Sequence, residues 1–168
     1  HIKVYKANMI IPQIAENLTR SGTCSPIAHC PACGGATEVR IENDVKTLYC
    51  VNPYCSAKKV KLFSHYVSRD AMDIEGLSEA TLMKMIEQGF LSELNDLYTL
   101  EQYKEQIIAM DGFGEKSYNN LIQSIEKSRE TQLFRFVYGI GILNVGSSNA
   151  KLLCRHFGNS LENLRGAS

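Results

Sequence analysis

Nowhere in its 168 residues does the sequence hold an apolar run approaching a membrane span, which takes roughly 18 residues. It also has no charged-then-apolar leader of the secretory kind. These absences point to a cytoplasmic protein with no membrane among its partners. It has no excess of charge either: 18 Lys and Arg stand against 18 Asp and Glu. That excludes a strongly basic nucleic-acid binder held by bulk attraction. It leaves open a local site built from backbone N–H groups and a few placed cations, such as Lys116, Lys151 and Arg155. The first residue is not Met, and the last residues follow a helix-like stretch, which points to a piece of a longer chain. With 44% hydrophobic residues the chain is globular, long enough for one good core or two small ones.

Cysteine is scarce but clustered. Four of the six fall in two close pairs, Cys30-Pro31-Ala32-Cys33 and Cys50-Val51-Asn52-Pro53-Tyr54-Cys55. Between the pairs, Val39-Arg40-Ile41 and Thr47-Leu48-Tyr49 alternate like the arms of a short hairpin. Such spacing converges four sulfurs on one tetrahedral zinc, and Gly34 after the first pair frees backbone N–H groups to bond sulfur. Disulfides are the alternative, and a chain without secretory features in a reducing compartment argues against them. A reactive Cys-x-x-Cys is another, but the strand-to-helix unit such redox sites use is missing. Cys24 and His29 lie near enough to be considered as ligands, yet four thiolates already complete the site. With no open position the zinc is structural. Cys154 falls on an apolar face and reads as core.

The second organised feature is a repeat. Met110-Asp111-Gly112-Phe113-Gly114-Glu115-Lys116-Ser117 has weaker copies in Ile74-Glu75-Gly76-Leu77-Ser78 and Ile142-Leu143-Asn144-Val145-Gly146-Ser147. Aligned, Gly76, Gly112 and Asn144 share one column, and Ser78, Gly114 and Gly146 another. The columns recur 36 and then 32 residues apart, an internal repeat. Apolar residues precede the first column by two, and the pairs Met85-Ile86, Leu121-Ile122 and Leu153-Cys154 follow the second. Each copy reads as helix, tight glycine hairpin, helix. Glycine permits positive φ and close approach, so N–H groups at the start of the second helix face outward where the helix dipole favours anions. Three such sites that choose no sequence fit a nucleic-acid backbone; ordinary glycine-capped helix turns are the plainer alternative. Asn144 tolerates the left-handed region, and Ser78 is more naturally a helix cap.

Around these features, residues 1–14 read as a strand or two ended by Pro12, and residues 16–27 as a linker. Residues 57–68 are helical in pattern, with Val60, Phe63 and Val67 on one stripe and Lys58, Lys59 and Lys61 off it, as a solvated face or as phosphate contacts. The repeats fill residues 71–90, 97–129 and 133–157, and residues 159–165 resemble the opening helix of a fourth unit.

The hairpin pattern resembles the helix-hairpin-helix family of DNA-binding motifs. A four-cysteine module followed at once by tandem hairpins, joined by Ser68-Arg69-Asp70-Ala71-Met72-Asp73-Ile74-Glu75-Gly76-Leu77, resembles the C-terminal half of the bacterial NAD-dependent DNA ligase family over essentially the whole chain. The resemblance implies a mainly α fold: the tail of an oligonucleotide-binding barrel and linker over 1–20, the zinc module over 21–59, and a tandem helix-hairpin-helix domain over 60–168. It implies zinc on Cys30, Cys33, Cys50 and Cys55. It implies DNA contact through backbone N–H groups at Gly76, Gly112, Gly114 and Gly146, with Ser78, Lys116, Ser147 and Lys151 beside them. Leu77, Phe113 and Val145 are expected to tuck under their turns.

That family seals nicks by moving AMP from NAD to a lysine, then to a 5′-phosphate, then displacing it with a 3′-hydroxyl. The lysine lies in a Lys-x-Asp-Gly motif. The only Asp-Gly here is Asp111-Gly112, with Ala109 two residues before Asp111. NAD and Mg2+ are therefore expected only with the full-length enzyme, and this chain is expected to be inactive alone. It is read as a monomer that grips duplex or nicked DNA beside the remaining domains of the ligase. A recombination scaffold that combines hairpins with a four-cysteine zinc places its hairpin before the zinc, unlike this chain. A helical protein-interaction module is the reading from another class, and an exposed apolar patch would be its sign.

Overall fold

The computed structural model describes residues 1–8, 10–22 and 25–166, which divide into two compact units, His1–Val51 and Asn52–Ser168. Met9 and Cys24 lie outside the described residues.

In the first unit, β1 (Ile2–Ala7) and β2 (Ile11–Asn17) pair antiparallel with a bulge at Lys3/Val4. Pro12 was expected to end the strand region, but it sits second in β2, opposite Lys6. A proline is tolerated at the beginning of a strand where no ladder bond requires its missing N–H. β2 therefore takes in Glu16 and Asn17, which were expected in the linker. Val4 and Ile14, paired across this hairpin, are 57% and 64% exposed.

The second hairpin joins β3 (Thr37–Glu42) to β4 (Val45–Cys50), with Val39 opposite Leu48. Asn43 and Asp44 both take positive φ, 50° and 63°. Those angles make the two-residue turn whose twist matches that of the strands. Both arms carry the alternating triplets read from sequence.

The second unit is helical: α1 (Ser56–Val67), α2 (Glu79–Glu87), a 3-10 helix (Leu94–Tyr103), α3 (Lys104–Ile108), α4 (Glu115–Ser128), α5 (Leu133–Gly139), α6 (Ser147–His156) and α7 (Leu161–Arg165). Val60, Phe63 and Val67 of α1 are buried as their spacing predicts, and Tyr66 joins them. The main core gathers Phe63, Leu82, Met85, Leu97, Ile107 and Leu121, all fully enclosed, and a smaller cluster holds Val137, Ala150 and Cys154. α1 packs on α2 and α5, α4 on α3 and the 3-10 helix, and α5 on α6.

Two helical expectations change. The first repeat has no helix of its own from Ala71: after Val67 the chain folds back over the end of α1, with Met72 N–H on the Tyr66 carbonyl and Asp73 at φ 54°. The leading helix of that repeat is α1. The second repeat opens in 3-10 geometry, and Asp96 turns back onto the chain at its start. Its carboxylate accepts from the N–H groups of Ser92 and Glu93 at 2.7 and 2.8 Å. No helix of the described residues is long and apolar enough to cross a membrane.

Candidate metal centre and nucleic-acid interface

The Sγ atoms of Cys30, Cys33, Cys50 and Cys55 all lie within 4.8 Å of one another, and those of Cys33 and Cys50 are 3.5 Å apart. Tetrahedral zinc with bonds of about 2.3 Å to sulfur has edges of about 3.8 Å, so the four donors fit the ion. Local structure explains the convergence. Cys30 N–H donates to the Gly35 carbonyl at 2.7 Å, and Gly34, at φ 69°, donates to the Cys30 carbonyl at 2.8 Å. The tight turn thus uses the Gly34 N–H on the Cys30 carbonyl. Cys50 ends β4, and Cys55, 1% exposed, stands at the N-cap of α1. His29 forms a bridge with Ala36 and is not in the cluster. Cys154 is fully buried in the smaller core, and burial pushes its thiol pKa up.

The three aligned copies share their backbone geometry. The first column is left-handed throughout, with φ 92° at Gly76, 83° at Gly112 and 64° at Asn144. The second column supplies the N-caps Ser78, Gly114 and Gly146, all extended. Each cap carbonyl accepts the first helical bond at 2.9 Å, from Leu82, Tyr118 and Ala150. Met110 and Ile142 close their turns by accepting from Phe113 and Val145 at 2.9 and 3.0 Å. Leu77, Phe113 and Val145 are half-buried against the cores. Leu82, Tyr118 and Ala150, four residues past the second column, are all buried. That column went unread in the sequence because leucine, tyrosine and alanine share no obvious type.

The copies differ in what their turns leave open. In the first, Ser78 Oγ accepts from Thr81 N–H at 3.1 Å, and Glu75 N–H donates to Ser124 Oγ of α4 at 2.8 Å. A Cβ on Gly76 would sit 3.7 Å from Leu121 Cβ. Part of this turn therefore serves packing, a role the sequence reading did not foresee for Ser124. No side chain caps Gly114 or Gly146, so the first-turn N–H groups of α4 and α6 keep their orphan donors.

A Cβ at Gly112, Gly114 or Gly146 would meet nothing within 4 Å. Gly114 at φ −165° and Gly146 at φ −73° hold angles open to any residue. Glycine at those two positions is thus required neither by backbone conformation nor by space within the chain.

Gly76 and Gly112 line one groove with Thr81, Ser117 and Asn120. Lys116 is exposed on the first turn of α4, and Ser147 opens α6. Lys151 is exposed one turn further along α6, 4.8 Å over the Phe134 ring. The α1 lysines diverge: Lys58 is exposed, Lys59 half-buried, and Lys61 pairs with Glu79 at 2.5 Å. Lys84 joins α2 to the second turn, donating to the Asp111 carbonyl at 3.1 Å.

Residues 29–57 match the family model of the NAD-dependent DNA ligase C4 zinc finger domain. The chain is 57% identical over 157 residues to a DNA ligase of Lachnoclostridium phytofermentans, covering 94% of this chain and 24% of that protein. It is 60% identical over 156 residues to one of Ruminiclostridium cellulolyticum, covering 93% and 24%. It is 42% identical over 172 residues to one of Bacillus subtilis, covering 99% and 25%. The chain thus spans about a quarter of the length of the relatives it matches. A ligase-type C4 module, four converging cysteines and this identity along nearly the whole chain make it a member of the NAD-dependent DNA ligase family.

Proposed function

We propose that this chain is a duplex-gripping part of a nick-sealing DNA ligase, made of a structural zinc module and a tandem helix-hairpin-helix domain. The observation that carries the reading is the glycine pair Gly114 and Gly146. Neither backbone angle nor space inside the chain requires glycine there, and each stands at a helix start with no side-chain cap, so the bare backbone is open to close approach from outside. Orphan N–H groups and the positive end of the helix dipole suit a phosphate oxygen. Contacts of that kind position a duplex without reading its sequence.

Gly112, Lys116 and Ser147 belong to the same surface on this reading. Gly76 and Ser78 contribute less, because their turn is partly occupied by Ser124 and by the Ser78 cap. Zinc, bound by Cys30, Cys33, Cys50 and Cys55, supplies folding energy to a stretch too small to bury a core. The adenylation chemistry belongs to the rest of the enzyme, since no Lys-x-Asp-Gly occurs here.

Gly114→Val tests the reading, because valine fits the angles and the space but covers the N–H groups. Binding to a labelled duplex should weaken about tenfold, the equivalent of one charge-assisted hydrogen bond or slightly less, with the fold intact. Unaltered affinity would remove the hairpins from the interface.

A further inference from the structure

The formal neutrality of the chain hides a separation of charge. Residues 56–130, which hold the first two repeats, carry nine basic against thirteen acidic side chains, whereas residues 131–161 carry three basic and none acidic. A phosphate backbone is repelled by the first stretch and drawn to the second. The turns repeat the contrast: the residue before the left-handed position is Glu75, Asp111 and then Leu143, the last 85% exposed.

Of the three cations in the third repeat, Arg135 is used internally, donating to the Ala71 carbonyl at 2.7 Å and to that of Arg69. Lys151 and Arg155 are exposed and make no ion pair among the described residues. They stand one turn apart on α6, a like-charge arrangement that by itself weakens a helix and that an anion relieves. Both line a cleft of about 540 Å³ with Gln132, Leu133, Phe134 and Asn159. No carboxylate lines it, and the amides of Gln132 and Asn159 add neutral donors.

We infer that this cleft is a phosphate site separate from the hairpin turns, taking the DNA backbone, and that the third repeat supplies most of the electrostatic attraction of the helical unit. The inference rests on the reading that the chain binds duplex DNA. Arg155 offers a planar fork to two phosphate oxygens and Lys151 a point charge beside it. The acidic first and second repeats then act through backbone donors, which bear no charge to be cancelled by Glu75 or Asp111.

The test is a salt series of duplex titrations. It compares the unaltered chain, Lys151→Gln with Arg155→Gln, the charge-retaining Lys151→Arg with Arg155→Lys, and Lys104→Gln with Lys127→Gln from the second repeat. Removing the two cleft cations should lower the slope of log affinity on log salt by about 2, and affinity near physiological salt roughly tenfold. The charge-retaining pair should restore the slope, and the second-repeat pair should change it by less than half as much. If the chain binds but the cleft pair leaves the slope unchanged, or the second-repeat pair lowers it equally, the inference fails while the DNA reading stands. If the unaltered chain shows no salt-dependent binding, the DNA reading fails and this inference with it.

Discussion

Gly114 and Leu121 lie seven positions apart and make opposite demands on the same repeat. A side chain at Gly114 would enter open space, whereas Leu121 is wholly enclosed in the main core, with its Cβ and Cδ1 near the Gly76 turn. Leu121→Ala should cost about 2–5 kcal/mol in urea unfolding and loosen the first turn, while Gly114→Val should cost about 1 kcal/mol or less, the difference between glycine and valine at an N-cap. Tyr66 gives a residue-scale dependence on pH. Burial first, then the 3.1 Å hydrogen bond to Tyr98 and the charge of that neighbour, raise its pKa well above the ordinary tyrosine value. The folded state therefore holds this proton more tightly than the unfolded one. The resulting stability is fully present below about pH 10 and is lost as pH rises toward the raised folded value. Unfolding midpoints measured across alkaline pH should fall less steeply for Tyr66→Phe than for the unaltered chain.

At the scale of elements, the turns were legible and some of the helices around them were not. Gly76, Gly112 and Asn144 could be aligned because left-handed backbone leaves few residue choices, and all three adopt it. The cysteine pairs were legible for a similar reason, since four thiolates at that spacing have one economical use. The 3-10 helix was not, because Asp96 capping Ser92 and Glu93 is a local hydrogen-bond choice that apolar periodicity does not report. Nor was the extension of β2 through Pro12, which depends on which N–H groups the hairpin leaves unpaired. The clasp of Ser124 on Glu75 joins residues far apart in sequence, and nothing in either neighbourhood announces it.

The zinc module gives a prediction at this scale. Metal analysis of reduced protein should find about one zinc per chain, and a strong chelator should strip amide protection from β3 and β4 before α4. Loss of protection in α4 together with the strands would contradict a module that the metal folds locally.

For the whole molecule, identity to DNA ligases extends along nearly all of the chain but over about a quarter of those proteins. The division of labour proposed here follows from what the chain contains: a metal-organised module, and helix starts that present bare N–H groups. Incubation with NAD should leave no covalent AMP adduct on it, as judged by intact mass, because Ala109 stands two residues before Asp111, where the motif has the adenylated lysine. An adduct would overturn the assignment of that chemistry to the rest of the enzyme.

The most direct measurement of the central claim is fluorescence anisotropy of a labelled nicked duplex titrated with this chain at several salt concentrations, beside an intact duplex of unrelated sequence. Backbone recognition predicts binding to both duplexes that is indifferent to sequence and weakens steadily as salt rises, with a slope that counts the phosphates held. Absence of binding even at low salt, or binding confined to one sequence, would contradict it.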